Sequence, residues 1–125
     1  MKRISIAIVE PSPIILEGVA AIVSHNPNLR VAGAVATVPE LQTLLRNTEV
    51  DLLIAAVCLA REIESVAELQ SLPIVGMQSA IVEASILRRF AAVATLYTLE
   101  EELHRMVIEA ADMPAEHNYA ESHEL

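Results

Sequence analysis

The 125-residue chain predicts an α/β domain, a parallel sheet covered by helices on both faces. Three observations carry that expectation. Five short runs of Val, Ile, Leu and Ala recur along the chain, nearly apolar throughout instead of alternating, as strands buried on both faces must be. Between them lie helix-length segments in which polar and apolar residues mix, so strands and helices alternate. The composition agrees: hydrophobic residues make up 54% and aromatics only 2%, so the core is aliphatic.

Each element follows from its own residues. "ISIAIV" (4–9) is the first strand. A helix follows within "PSPIILEGVAAIVSHNP", with Ser12 as N-cap and Pro13 at the first helical position, where its missing N–H costs nothing. "LRVAGAVA" (29–36) is the second strand. In "TVPELQTLLRN", Thr37 and Glu40 have the spacing of a capping box and open a short helix. "DLLIAA" (51–56) is the third strand, followed by a weak helix in "EIESVAELQS". "PIVGM" (73–77) is the fourth, with a helix over 80–90, "AIVEASILRRF". "VATLY" (93–97) is the fifth, after which Thr98 and Glu101 form a second capping box opening "LEEELHRMVIEAA". Five βα units within residues 1–111 have the size and rhythm of a flavodoxin-like doubly wound domain, whose strand order 2-1-3-4-5 is taken by analogy. Residues 112–125, "DMPAEHNYAESHEL", are polar, acidic and aperiodic, and read as a linker or tail.

Composition excludes several functions. A net charge of −9 with only eight Lys and Arg, unclustered, argues against direct nucleic-acid binding, which depends on cations that neutralise phosphates. There is no CxxC, HExxH, GxGxxG or Walker pattern, so no cofactor, nucleotide or structural metal site is expected. Mean hydropathy is high, +0.46. Yet no apolar run approaches the roughly 18 residues of a membrane span. The start "MKRISIAIVEP" lacks a cleavage signal. A lone cysteine, Cys58, fits a reducing cytoplasm.

Ligand chemistry in such sheets sits at the carboxyl ends of the strands. There the third strand offers Ala55, Ala56, Val57 and Cys58, without an acid, base or hydroxyl. The segment "IAIVEPSPIILEGVAAIVSHNPNLRVAGAVATVPEL" resembles the receiver domain of bacterial response regulators, above all the NarL/FixJ subgroup with its LuxR-type helix-turn-helix output. "IVE" ending strand one, Pro13 opening the helix, "EG" at 17–18, "NP" at 26–27 and "VAGAVAT" carry the likeness. It continues more weakly through "VDLLIAA", "LPIVGMQSA" and "TLEEELHRMV", over roughly residues 3 to 111.

The resemblance implies a CheY-like phospho-switch with fixed requirements. An Asp ends strand three and accepts a phosphoryl group, while an acidic pair ending strand one holds Mg²⁺. A Ser or Thr ends strand four, and a Lys ends strand five beyond a switch aromatic. Carried over by position, the acceptor falls on Ala56 and the acidic pair on Glu10-Pro11. The hydroxyl falls on Gln78, with Ser79 one residue away. The lysine falls on Thr98 and the aromatic on Thr95. The stretch 57–72 is also shorter than the family's. The pattern is that of a degenerate pseudo-receiver with no enzymatic activity.

The other polar residues read plainly. Glu10 is expected to be an exposed strand end and Asp51 a strand opener, about 15 Å apart at roughly 3.3 Å per residue, too far to share a metal. Cys58 is expected to be a small buried hydrophobe; a redox thiol would need positive charge, for which Arg61 is the local candidate. His104 is expected on the surface, paired along its helix with Glu100 or Glu101. His117 and His123 carry no ligand spacing, and "RRF" at 88–90 reads as a solvated helix end with Phe90 in the core.

The first helix is richer than its position requires. At about 100° per residue, Ile14, Ile15, Leu16, Gly18, Val19, Ile22 and Val23 fill roughly 200° of its circumference, where a surface helix needs roughly 100°. The expected consequence is a homodimer face of Ile14, Ile15, Val19, Ile22, Leu103 and Met106, shared with the last helix. The resemblance therefore implies a phosphorylation-independent regulatory and dimerisation domain, with protein partners or a fused C-terminal DNA-binding domain beyond these residues. The alternatives are a stand-alone flavodoxin-like ligand-binding protein, or an atypical phospho-switch using Ser79.

Overall fold

The computed structural model describes residues 3–112. Its elements are β1 (Ile4–Val9), α1 (Pro13–Ser24), β2 (Leu29–Val35), α2 (Val38–Asn47), β3 (Leu52–Ala56), α3 (Ala60–Glu64), β4 (Ile74–Gln78), α4 (Ala84–Leu87), β5 (Ala92–Thr95) and α5 (Glu100–Ala111). Short 3₁₀ turns occupy Val57–Leu59 and Ala67–Leu69. The five strands are parallel in the order β2-β1-β3-β4-β5. That is the doubly wound, CheY-like arrangement expected from the alternation.

Strand alternation sorts the core into two layers. Ile6 and Ile8 of β1, with Leu52 and Ile54 of β3, face α1 and α5 and pack with Val19, Val23, Leu103 and Val107. Ala7, Val9, Leu53 and Ala55 point the other way, onto Leu41, Ile63, Leu69 and Phe90. Because β1 and β3 are central, all five β3 residues are buried. Each such Leu or Ile contributes about 1.5–3 kcal/mol by leaving water.

The amino edge of the sheet is stitched by polar groups. Ser5, only 5% exposed, donates its N–H to Asp51 Oδ2 at 2.9 Å. Asp51 in turn donates its own N–H to the Ser5 carbonyl at 2.8 Å. The Ser5 hydroxyl donates to the Glu49 carbonyl at 2.9 Å and accepts from Arg30 Nη2 at 2.7 Å. Asp51 thus opens β3 as a structural carboxylate.

The helices depart from the sequence expectation where side chains compete with the helical ladder. The segment expected as a helix over 80–90 is helical only at Ala84–Leu87. Glu83 just before it is extended, at ψ 142°, and the Gln78 side chain donates to the Ala80 carbonyl at 3.0 Å. After it, the chain must turn down so that Phe90 reaches the core and Ala91 can donate to Ile74. The weak third helix breaks into α3 and a 3₁₀ turn, bridged by the Gln70 amide, which donates to the carbonyls of Ile63, Glu64 and Val66.

Capping follows the same logic. Thr37 caps α2 as expected, its hydroxyl accepting from Glu40 N–H at 3.3 Å. Ser12 occupies the N-cap of α1, but its side chain makes no cap. Helix α5 starts one residue later than expected: Leu99 is its N-cap, and Glu102 Oε1 accepts the Leu99 N–H at 3.0 Å.

The His104 expectation is also corrected. Its Nε2 donates to the Ile22 carbonyl at 2.7 Å, tying α5 to the last turn of α1. Beside it, His25 Nδ1 donates to Glu100 Oε1 at 2.7 Å. These two contacts set the first turn of α5 against the end of α1.

Candidate functional site

The register of the central strands gathers four of the positions singled out in the sequence at the carboxyl edge. Val9 pairs with Ala55, so Glu10 follows β1 beside Ala56, the last residue of β3. Ala56 pairs with Met77, and Gln78 with Thr95. The edge reads Glu10, Ala56, Gln78 and Thr95 across neighbouring strands.

Glu10 is buried, 4% exposed, which corrects the expectation of an exposed strand end. The cause is the turn that follows: Pro11 projects outward while Ser12 N–H donates to Glu10 Oε2 at 2.7 Å, folding the carboxylate inward. Its Oε1 is buried and finds no hydrogen-bond partner among the described residues. Beside it Ala56, 2% exposed, presents only a methyl group.

On the outer side, Gln78 is half-buried and its amide is spent on the Ala80 carbonyl. Ser79 is exposed, one residue past the end of β4. Strand β5 ends at Thr95, two residues short of the expected 97. The strand-end position by register is therefore Thr95, and Thr98 lies in the turn beyond, its hydroxyl accepting the Thr95 N–H at 2.8 Å. Both threonine hydroxyls thus serve the backbone: Thr95 Oγ1 accepts from Tyr97 N–H at 3.1 Å.

Cys58 is exposed, a second correction. In the 3₁₀ turn Val57 and Ala60 point inward, which leaves Cys58 outside. Its thiol is pushed above the ordinary cysteine value, first by the part of its surroundings that is desolvated and then by the negative charge of Glu10. Its local environment is thus opposite to that of a reactive redox thiol.

The Mg²⁺ that the resemblance implies does not fit these residues. Magnesium needs near-octahedral oxygen coordination. Glu10 is the one carboxylate at this edge by register, since Asp51 sits beside Ser5 at the other end. Among the described residues no group of three or more His, Cys, Asp or Glu is placed to hold a metal.

The proposed dimer face is partly real as a surface. Ile14 is 84% exposed, while Ile15, Ile22 and Met106 are half-buried. Val19 and Leu103, each 4% exposed, lie mainly in the core and reach the surface only as part of the groove lining; helical spacing alone does not separate the two roles. An apolar groove of about 220 Å³ opens beside Ile14, lined by Ile15, Gly18, Ile22, Met77, Ala94 and Leu96. Gly18, part of the apolar face read in the sequence, leaves the groove wall bare, while Leu96, outside that reading, enters the groove because β5 ends early.

The fold is the CheY-like α/β architecture of response-regulator receiver domains. The NarL signal receiver domain from Mycobacterium tuberculosis superposes with a TM-score of 0.72 at 16% identity, over 89% of this chain and 98% of that one. RcsB from Salmonella typhimurium gives 0.72 at 14% identity, over 98% of this chain and 69% of its own. A structure of two RcsB dimers bound to two parallel DNAs gives 0.71 at 14%, over 96% of this chain and 69% of that one. No family model matches the sequence, and no curated protein does. Among the described residues, no helix is long and apolar enough to cross a membrane.

Proposed function

We propose that this chain is a receiver-like regulatory domain of a two-component-type transcriptional regulator, working without phosphorylation of the usual position and acting through dimerisation. The observation that carries the reading is Ala56: buried at the end of β3, next to a lone Glu10, it offers no oxygen to a phosphoryl donor. Gln78 and Thr95 support it, because the Gln78 amide nitrogen and the Thr95 hydroxyl are engaged by the adjoining backbone. The exposed Ile14 and the groove beside it support self-association. That RcsB is described as dimers bound to DNA favours self-association and a DNA-binding output outside these residues.

The test is incubation with acetyl phosphate or beryllofluoride in the presence of Mg²⁺, followed by intact mass and amide NMR. Unchanged mass and unmoved resonances around Glu10 and Ala56 are expected. A stable adduct, on Ser79 or elsewhere at this edge, would instead favour an atypical phospho-switch.

A further inference from the structure

At the end of α2, the 3₁₀ turn Ala67–Leu69 and the segment leading to β4 close around a cavity of about 250 Å³. It shares no residue with the strand-end site or with the groove beside Ile14. Its apolar part is Leu45, Val50 and Leu72, half-buried and packed against the second core layer. Its rim carries opposite charges on different elements, Arg46 on α2 and Glu68 on the 3₁₀ turn. The two are not paired. Glu68 Oε1 accepts only a long contact, 3.4 Å, from Gln42 Nε2. Arg46, one helical turn beyond Gln42, has no hydrogen bond or ion pair among the described residues. Helix α2 also ends openly. The C-cap residues of α1 and α5 return an N–H to the last turn, whereas Thr48 is extended, at φ −144° and ψ 137°. No backbone N–H among the described residues returns to the last carbonyls of α2, which keep their negative partial charge beside Thr48 in the cavity wall.

We propose that this cavity binds a free α-amino acid with an aliphatic side chain. Size sets the first limit: about 250 Å³ falls below the roughly 300–1,000 Å³ of pockets for drug-sized ligands, so the occupant is a single small molecule. Charge narrows the class. A simple anion would meet the carboxylates of Glu49 and Glu68, and a simple cation would meet the guanidinium of Arg46. A zwitterion satisfies both. Its carboxylate takes the Arg46 fork, and its ammonium takes Glu68 and the carbonyl end of α2. Its side chain then covers Leu45, Val50 and Leu72, which adds apolar burial to the two charge contacts. One bound molecule thereby bridges α2 to the segment before β4. This inference does not depend on how the domain signals, and its failure would leave the phosphorylation experiment untouched.

The test titrates the full chain with free leucine and follows the backbone amides by NMR. Saturable shifts at Leu45, Arg46, Thr48, Val50 and Leu72 are expected, with a Kd of about 1 mM for so few contacts. N-acetyl-leucine lacks the ammonium and leucinamide lacks the carboxylate. Each should bind about fivefold more weakly, the upper worth of one exposed charge contact. Glycine, without a side chain, should not saturate. Arg46→Ala and Glu68→Gln change exposed residues, so the dispersed spectrum of the folded chain is kept while each lowers leucine affinity about fivefold. No shifts at tens of millimolar leucine, equal binding by both blocked analogues, or undiminished affinity in Arg46→Ala would overturn the assignment. So would saturable shifts confined to the groove beside Ile14, which would place leucine on an apolar surface elsewhere.

Discussion

A Cβ placed on Gly76 would lie 2.8 Å from Cγ of the Phe90 ring, and 3.0 Å from Val57 on the same side. The ring can come this close to the middle of β4 because the strand carries no side chain at Gly76. Phe90 is the only phenylalanine, and it closes the α4 face of the core where the helix itself is one turn long.

Gly76→Ala should therefore destabilise the domain by about 1–3 kcal/mol, the usual cost of an overpacked core, since the clash falls on the base of the ring and not on a flexible tip. Urea unfolding followed by circular dichroism measures it. A cost near zero would mean that α4 and Phe90 reposition freely.

The α1 surface gives a mutation pair. Ile14→Glu changes an exposed side chain, so the fold should be kept while the dimer is lost, read as monomer mass by light scattering. Gly18→Ala fills open space in an exposed helix and should stabilise the monomer by about 0.5–1 kcal/mol. If the groove wall receives a partner helix, the same change weakens the dimer. An unchanged mass for Ile14→Glu removes this face from the proposal.

Cys58 should alkylate slowly at neutral pH in the presence of a chelator. Its thiol sits above the ordinary value, so less thiolate exists at a given pH and the rate rises only at higher pH. Glu10→Gln removes the opposing charge, lowers the thiol pKa and should shift the rate profile toward lower pH. An identical profile in the variant would place the two groups too far apart to interact.

His104→Ala should cost about 0.5–1.5 kcal/mol, the net value of one hydrogen bond, by freeing the Ile22 carbonyl. Amide exchange should report faster opening at the end of α1 and the start of α5, with β1 and β3 unaffected.

How far these features could be read in advance depends on the range of the interactions behind them. The strands were visible because burial on both faces demands apolar runs, and β3 with its five buried residues is the clearest case. Thr37 at the head of α2 was visible because a cap is a contact within four residues. The inward turn of Glu10 was not, since it depends on Pro11 projecting while Ser12 donates back. Nor was the split of the apolar α1 residues into Val19, buried under α5, and Ile14, left outside, which only the tertiary placement of α5 decides. The short α4 escaped notice because Phe90 and Ala91 had to reach the sheet, a demand absent from helical periodicity.

The polar clasp of Ser5, Asp51, Glu49 and Arg30 lies at the amino edge, a full strand length from Glu10 and Ala56. Slippage of β1 against β3 by one residue would turn every core side chain of those strands to the wrong face. The clasp forbids it from the end away from Glu10 and Ala56. Sequence change at the opposite rim can therefore accumulate, loop by loop, without loosening the alignment of the sheet. A domain anchored in this way can lose an old site, or gain another, and still present the same helical surface to its partners.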